Sequence, residues 1–368
     1  MDASVIVLAF GEEPWLHESV ASALASTDVE VEVVVVDNGA APTSIASVEQ
    51  LPGVTVVRPG ANLGFAGGVN RGVASSKGEV IVLLNSDAFV APDTIAKLAT
   101  RVRARDGIAG ALILLADEPE VINSAGNPLH ILGLSWAGML GRPRSEVRPG
   151  AVVTSASGAC LALTRAHWDR LGGFNESYFA YLEDMDLSWR THQHGLPVSV
   201  LTDAACWHHY EYGRSEIKNY LLERNRLLFL LTNHEARTLA VLALPLAALE
   251  VAMLALALSQ GWGRQKVAGW GWLARHPRTI VDARRRIQDA RVVPDAALLS
   301  LLTTQFTAEQ EEMPNAARPL EGVLRGYWKI AKPLIRPRLR RSVLRARSTS
   351  TTGSHPTGNG VRTAQQTA

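Results

Sequence analysis

The chain has few cysteines, little net charge and an N-terminus unlike a signal peptide. Each of these features limits the classes of protein to which the chain could belong. Only two cysteines, Cys160 and Cys206, occur among 368 residues, without a CxxC pair. A disulfide framework is therefore excluded, and a reducing compartment fits best. The net charge of +2 gives no reason to expect a nucleic-acid partner. The first residues, MDASVIVLAFGEE, lack a basic n-region, so we expect a strand there and not a signal peptide.

Apolar runs alternate with helical patterns over the first 115 residues. An apolar content of 47% is that of a globular protein. The pattern predicts strands over 4–10, 31–38, 54–57, 79–84 and 108–115, and helices over 14–26, 65–75 and 92–103. This alternation favours an α/β fold with a mostly parallel, helix-covered sheet. Ligands of such sheets bind beyond the carboxyl ends of the strands.

The rest of the chain divides by composition. Residues 116–150 are rich in Gly and Pro and suggest an insertion or a flexible loop, whereas polar motifs are dense over 151–212. An apolar run over 238–258 has the length of a membrane span, but Pro245 and Glu250 interrupt it. A span, a buried helical hairpin and an interfacial anchor all stay open for this run.

The C-terminal part is basic and then low in apolar residues. The stretch 332–347 carries seven Lys/Arg and no acid, which favours anionic lipid headgroups over nucleic acid. The final stretch, 348–368, has no means of building a core and is predicted to be disordered.

Two polar motifs follow or precede predicted elements in the first half. Asp37 ends the second strand in VVVVDNG, where it suits either a plain turn or hydrogen bonding to a nucleoside. The segment NLGFAGGVNRG, 62–72, places three glycines ahead of a helix. These glycines let either a ligand or the sheet approach the backbone closely.

The fourth strand ends in Asn85, Ser86 and Asp87. Side chains at i and i+2 of an extended segment share one side, so these two oxygen-bearing groups could share a hard cation with a diphosphate. The alternative is a turn ahead of the next helix. One of His208 and His209, in CWHHYEYGRS, is a candidate further ligand.

Three acids, Glu183, Asp184 and Asp186, lie among aromatic residues just before a predicted short helix over 187–194. Acids at a helix N-terminus are stabilised by its dipole, which is the structural interpretation. Carboxylates surrounded by aromatic rings have raised pKa values, which suits a general base. We favour the second interpretation.

Taken together and in this order, these motifs resemble the family 2 inverting glycosyltransferases of the GT-A fold, especially the bacterial rhamnosyltransferase-like members. The resemblance covers about Ser4 to Asn225. It depends on SVIVLAF, VVVVDNG, NLGFAGGVNRG, LLNSDA, SGACLALTRAHWDRLGGFNESYFAYLEDMDLSWR and HHYEYGRS. It departs from the family pattern at Asn85, which stands where the first acid of the DxD motif is expected, so we expect metal binding to depend more on the diphosphate than it would with two aspartates.

The resemblance implies a role for each matching residue. Asp184 would be the general base, and Asp87 and His208 would bind a divalent metal, Mg²⁺ or Mn²⁺. The nucleotide-sugar site would comprise Asp37, Asn62, Gly64, Gly67, Gly68, Asn70, Asn85 and Glu183.

The resemblance also implies the partners and the domain plan. The donor would be a nucleoside-diphosphate sugar, with rhamnose one candidate sugar, and the acceptor a lipid-linked cell-envelope glycan. We expect a GT-A domain over 1–225, with a nucleotide-sugar half over 1–115 and an acceptor half over 116–225. A helical, basic, membrane-associated region would follow over 226–347. We place the protein at the cytoplasmic face of the membrane, peripheral or single-pass, with dimerisation through the C-terminal helices left open.

Two other function classes stay in view. A sugar nucleotidyltransferase should carry a Gly-rich, Lys-containing loop after the first strand, where this chain has GEEPWLHES. A membrane-tethered binding or scaffold protein on a transferase fold would tolerate substitution of Asp184.

Overall fold

A mixed sheet of nine strands organises the part of the chain that the computed structural model describes, residues 2–210, 215–305 and 318–335. A pair of two-residue strands forms a second, small sheet. The strands are β1 Ala3–Gly11, β2 Val31–Ala40, β3 Val54–Val57, β4 Val80–Asn85, β5 Ala88–Val90, β6 Ile108–Leu115, β7 Ile122–Ser124, β8 Leu129–His130, β9 Cys160–Thr164, β10 Val198–His208 and β11 Leu302–Thr303.

Helices cover both faces of the sheet and make up most of the C-terminal part. They are α1 Leu16–Leu24, α2 Pro42–Ala46, α3 Gly64–Ala74, α4 Thr94–Ala104, α5 Arg165–Leu171, α6 Glu183–Gln193, α7 Glu216–Asn233, α8 Ala236–Ser259, α9 Gly263–Arg275, α10 Pro277–Ala290, α11 Asp295–Leu298 and α12 Arg318–Ala331.

The large sheet has the strand order β3-β2-β1-β4-β9-β6-β10-β5, with β7 pairing to β6. The first four of these strands are mutually parallel, and β10 is parallel to β6. Three strands, β5, β7 and β9, run antiparallel to their neighbours. The expected α/β fold with a mostly parallel sheet, flanked by helices and followed by a helical C-terminal region, is therefore confirmed.

The apolar runs form central strands because both of their faces are buried. Alternate residues of β1 point to opposite sides of the sheet, so Val5 and Val7 pack with one core cluster and Ile6 with the other. On one side the partners include Leu16 of α1, and on the other Val69 of α3. A strand covered on both faces needs apolar residues at every position, which is the pattern in the sequence.

Residues 116–150 suggest an insertion or a flexible loop by composition, but part of this segment is packed into the fold. Part of this segment adds β7 to the edge of β6, and β8 pairs with β11 from the C-terminal part. Ile122 and Leu129 are fully buried. Glycine and proline here serve turns between short strands, so composition concealed a packed segment.

Helix α6 begins at Glu183, four residues before the predicted start at 187. The three acids therefore lie inside its first turn. The prediction that they precede the helix was wrong. Leu182 precedes the helix with φ of +68°. A left-handed residue in that place allows the chain to enter the helix abruptly, which no sequence pattern signalled.

The C-terminal helices pack against each other and against α6. The boundary expected between residues 225 and 226 falls inside α7, so the division of domains there stays a prediction. Among the described residues, α8 is the one helix long and apolar enough to cross a membrane by length and composition. The predicted disordered tail, 348–368, and most of the basic stretch 332–347 lie outside the described residues.

Candidate active site

The strand register brings two of the predicted site residues to one edge of the sheet. Strand β1 lies between β2 and β4, and its Ala9 pairs with Asp37 while its Leu8 pairs with Asn85. Because these three strands are parallel, both polar residues stand at the carboxyl edge, on either side of β1. This is the edge at which open α/β sheets bind their ligands.

Asp87 and His208 meet at the same edge although 121 residues separate them. Asp87 lies in the tight turn between β4 and β5, and β5 pairs with β10 so that Ala88 stands opposite His208. The Oδ1 atom of Asp87 lies 3.0 Å from Nε2 of His208. The sheet pairing therefore fixes this acid and this imidazole side by side.

The other ring nitrogen of His208 is held by an asparagine from β7. Nδ1 lies 3.0 Å from Oδ1 of Asn123, and the amide nitrogen of Asn85 lies 3.5 Å from Nε2. With its proton on Nδ1, His208 donates to Asn123 and leaves Nε2 unprotonated beside Asp87, where it can accept from the Asn85 amide or bind a metal. Orientation of an imidazole through its second nitrogen is typical of metal-binding histidines.

These groups fit a divalent cation only in part. The 3.0 Å between Asp87 Oδ1 and His208 Nε2 is the separation expected of adjacent ligands about 2.1 Å from an octahedral ion. However, the described residues contain no cluster of three or more His, Cys, Asp or Glu suited to a metal. Asn85 faces His208 and contributes no carboxylate. A cation here would thus need further oxygens from a ligand such as a diphosphate.

His209, the less favoured candidate, has a different environment. Its ring stacks on Trp15 with centroids 3.7 Å apart and planes 3° from parallel, and its Nε2 lies 3.7 Å from Glu18. Its backbone N–H donates to the carbonyl of Asp87 at 2.9 Å. His209 therefore packs beside the site and braces the Asp87 turn, which leaves His208 as the imidazole directed at Asp87.

Asp184 is connected to the end of β4 by hydrogen bonds through the backbone of residues 158 and 159. Its Oδ2 accepts the N–H of Gly158 at 3.0 Å, and the next carbonyl, that of Ala159, accepts the N–H of Asn85 at 3.0 Å. Burial raises the pKa of Asp184, while the N–H groups of Gly158 and Met185 oppose the rise. A carboxylate with a raised pKa is a stronger base than an exposed one.

The two neighbouring acids behave differently. Burial, and then the negative charge of Asp184, raise the pKa of Glu183 well above its usual range, and its Oε2 has no hydrogen-bond partner in the described part of the chain. Asp186 is fully buried and binds Arg190 at 2.7 Å. Of the three acids, Asp186 is therefore structural, Glu183 favours its protonated form, and Asp184 is partly buried and suited to take a proton.

The loop before these acids is strained and is clamped by α7. Phe179, Tyr181 and Leu182 have φ values of +63°, +70° and +68°. The amide nitrogen of Asn225 lies 2.9, 2.8 and 2.7 Å from the carbonyl oxygens of residues 178, 180 and 181. Arg224 donates to the carbonyls of residues 177 and 178. Strain of this kind persists only where the surroundings enforce it, and it concentrates at functional sites.

Asp37 is partly engaged in its own turn. Its Oδ1 accepts the N–H groups of Gly39 and Ala40 at 3.2 and 3.1 Å, while Oδ2 faces Arg58 at 3.7 Å. The next residue, Asn38, is buried and was not among the predicted site residues. Its amide nitrogen donates to Asn62 Oδ1 at 2.9 Å and so ties β2 to the loop ahead of α3.

The glycines of 62–72 mainly permit close packing. A Cβ on Gly68 would overlap Leu8 of β1, and one on Gly64, whose φ is +71°, would overlap Phe179. One on Gly67 would lie 3.0 Å from the Leu63 side chain. Through Gly64 the loop of 178–182 approaches the start of α3, so these glycines bring the base-bearing segment to the nucleotide half.

Asn70 points toward the 173–176 segment. It exchanges hydrogen bonds with the backbone of Phe174 at 2.9 and 3.0 Å and reaches Glu176 at 3.0 Å. Both N–H hydrogens of its amide are used in joining α3 to that segment. Its predicted contact with the nucleotide sugar would therefore be indirect.

Glu13 is a further acid at this edge that sequence patterns did not single out. Its Oε1 accepts the N–H of Phe10 at 2.9 Å. Burial raises its pKa; Ser86, by a hydrogen bond, lowers it, and the negative charge of Asp87 raises it further. Its position in the loop directly after β1, beside Trp15, was the feature of the sequence that could have indicated a site residue.

Comparison with known proteins agrees with this geometry. The model of the family described as Glycosyl transferase family 2 matches residues 4–168. The N-acetylglucosaminyl-diphospho-decaprenol L-rhamnosyltransferase of Mycobacterium tuberculosis is 31% identical over 234 residues, which are 56% of this chain and 75% of that protein. The succinoglycan biosynthesis protein ExoO of Rhizobium meliloti is 33% identical over 132 residues, 35% of this chain and 36% of that protein.

A solved structure shares the fold. The crystal structure of GalNAc-T7 with UDP, GalNAc and Mn²⁺ aligns with a TM-score of 0.52 at 17% identity, over 63% of this chain and 48% of that chain. This likeness concerns the fold alone. The family match and the mycobacterial relative lead to one conclusion: the chain belongs to glycosyl transferase family 2 and is a glycosyltransferase.

Proposed function

We propose that the protein is an inverting transferase that moves a sugar, with rhamnose the first candidate, from a nucleoside diphosphate to a hydroxyl of a lipid-linked cell-envelope glycan. The observation that carries this proposal is convergence on Asn85. Its side chain faces the Asp87–His208 pair, and its backbone adjoins the segment that holds Asp184. The pair that would bind the diphosphate and the carboxylate that would act as the base thus both lie next to Asn85.

The donor is proposed to bind across the ends of β1, β2 and β4. Asp37 would contact the nucleoside, with Asn62, Gly64, Gly67, Gly68 and Asn70 shaping the site. Asp87 and His208 would hold a divalent metal, Mg²⁺ or Mn²⁺, which when bound neutralises charge on the departing diphosphate. Glu183, with its raised pKa, keeps a proton that it can donate to a sugar hydroxyl.

The base step follows from the placement of Asp184. This carboxylate takes the proton of the acceptor hydroxyl while that oxygen attacks the anomeric carbon from the face opposite the diphosphate, which inverts the configuration. The raised pKa makes the transfer more favourable than it would be to an exposed aspartate. Alignment of both substrates by the site supplies the remainder of the rate enhancement.

The acceptor class is proposed from the mycobacterial relative, whose name describes transfer to a decaprenol-linked N-acetylglucosaminyl diphosphate. A lipid-linked acceptor places the enzyme at a membrane, and its nucleotide donor favours the cytoplasmic face. The expected organisation, a GT-A domain followed by a membrane-associated region, is part of this proposal.

Nucleotide-dependent stabilisation tests the donor site. The melting temperature of the purified protein is measured with UDP, dTDP and GDP, each with Mg²⁺, with Mn²⁺ and with chelator. We expect one nucleotide to raise it in a metal-dependent way, because a ligand that binds only the folded state stabilises that state. Asp87→Ala should abolish this shift. Asp203→Ala, which removes an exposed carboxylate elsewhere on β10, should retain it.

Substitution of the base separates binding from chemistry. Asp184→Asn should keep the nucleotide-dependent shift and lose transfer by about 10²–10⁴-fold, the usual contribution of a general base. Retained transfer would show that another group accepts the proton. The absence of a shift with every nucleotide would refute the donor site itself.

A further inference from the structure

We infer that α8 does not cross the membrane but lies in the plane of an anionic bilayer surface, with its exposed apolar face in the lipid. This inference deepens the proposed function, on which it rests for the lipid-linked acceptor. Its evidence is the division of α8 into two faces and the charges around them.

The outward face of α8 is apolar over its whole length. Residues at spacings of three and four, which share one side of a helix, are exposed there: Ala240, Leu244, Ala247, Val251, Ala255 and Leu258. The three large side chains of this row, Leu244, Val251 and Leu258, are 74%, 70% and 67% exposed. A continuous apolar row on a protein surface marks a contact with another molecule or with lipid.

The inward face carries the only acid of α8, and that acid is fully engaged. Glu250 contacts Arg226 of α7, lies 2.8 Å from Nζ of Lys266 of α9, and accepts the indole N–H of Trp270 at 2.7 Å. Glu223 completes a cluster of two cations and two carboxylates. Three helices are thereby joined through buried charges that balance.

This cluster decides between a span and an in-plane helix. A spanning α8 would have to carry Glu250 and its buried partners into the hydrocarbon, or leave those charges without their counter-ions. Helix α7 cannot follow it, because Asn225 and Arg224 hold the loop next to Asp184. An in-plane helix keeps the cluster intact and immerses the apolar row alone.

The surrounding charge identifies the occupant as an anionic membrane. Exposed Arg264 follows the end of α8. Helix α12 packs against α8 through Tyr327, whose hydroxyl donates to the carbonyl of Val241. After α12, Lys332 is exposed as well. Symmetric pairing of two copies would bring these like charges together, whereas acidic headgroups complement them.

Vesicle binding tests the surface without any transfer reaction. The full chain is floated with phosphatidylcholine vesicles, with and without phosphatidylglycerol. We expect binding that needs the anionic lipid, and a decrease of about tenfold or more in Val251→Glu, because a charge is costly in the interface. Val292→Glu is the matched control, since Val292 is 73% exposed and lies outside α8, and should bind normally.

The depth of labels distinguishes the in-plane helix from a span. Single cysteines at positions 244, 251 and 258, each carrying a spin label, lie two turns apart on one face; Cys160 and Cys206 are buried. An in-plane helix gives all three the same depth. A spanning helix separates successive labels by about 10 Å along the membrane normal.

Three results would overturn the inference. They are unequal depths of the kind a span produces, unchanged vesicle binding in Val251→Glu, and a lipid-independent dimer that Val251→Glu dissociates. None of these depends on nucleotide binding or transfer, so a failure here is distinct from a failure of the proposed reaction.

Discussion

Asn225 links the C-terminal helices to the proposed base, and its replacement by alanine is the most informative single change. Asn225 is fully buried on α7, and its amide nitrogen lies within 2.9 Å of three carbonyl oxygens of the strained loop before α6. An amide has only two N–H hydrogens, so at least one of them is shared between two carbonyls. The Tyr178 carbonyl retains its bond from Arg224 when Asn225 is removed.

The expected magnitude follows from these bonds. Loss of about two net hydrogen bonds, with buried carbonyls left unpaired, should lower the free energy of unfolding by about 2–3 kcal/mol. The loop also loses what enforces its three left-handed residues, so Leu182 and the start of α6 can relax. A displacement of the base by about 1 Å can cost about 10²-fold in rate. We therefore expect kcat to fall by about 10- to 100-fold in protein that is still folded.

The assay combines urea unfolding with transfer kinetics at a temperature where the variant is fully folded. Nucleotide-dependent stabilisation should be retained, because the strand ends that bind the donor are unchanged. Asn219→Ala, on the same helix but outside this clamp, controls for a general effect on α7. A folded Asn225→Ala protein with normal kcat would refute the view that the clamp positions the base.

Three other perturbations test the site and the core. His208→Gln should remove the metal-dependent part of the nucleotide shift in melting temperature and leave any shift seen with chelator; an unchanged metal-dependent part would exclude His208 as a ligand. Lys266→Met should lower the free energy of unfolding by about 3–5 kcal/mol, because it leaves an excess buried carboxylate. Adding Glu223→Gln should recover part of that loss, and no recovery would contradict the balanced cluster. Burial lowers the pKa of His130 and His167 to about 4 each. The unfolded chain therefore binds more protons than the folded protein below pH 6.5. The free energy of unfolding should decrease from pH 6.5 to 4, by up to about 3 kcal/mol per histidine. Urea titrations across this range check this, and His130→Asn should lose part of the pH dependence.

Local patterns were sufficient for the nucleotide half of the fold. The strands β1, β2 and β4 are apolar at consecutive positions because both faces are covered, and this leaves a strong signal in the sequence. Polar residues can then enter only at strand ends, which is why Asp37 and Asn85 could be placed at the carboxyl edge in advance. The antiparallel insertion of β9 between β4 and β6 had no such signal, since pairing partners distant in sequence are not encoded locally.

The candidate site was predictable as a set of residues but not as an arrangement. The order of the motifs indicated Asp87, His208 and Asp184. Their contacts with Glu13, Asn123 and Gly158 join parts of the chain that are distant in sequence, so no local pattern predicted them. Helix α6 began earlier than its pattern implied because a left-handed Leu182, enforced from α7, decides where it starts.

The sequence by itself determined the family, the central strands and the chemistry available at their ends, because these follow from local burial and from residue type. Only the tertiary structure decided that Asn123 holds the His208 ring beside Asp87, that residues 122–133 are packed, and that Glu250 has buried counter-ions. The run 238–258 shows the reason most clearly. Its composition alone allows a span, a hairpin or an anchor, and only the partners of Glu250 on α7 and α9 define which face of the helix is turned inward.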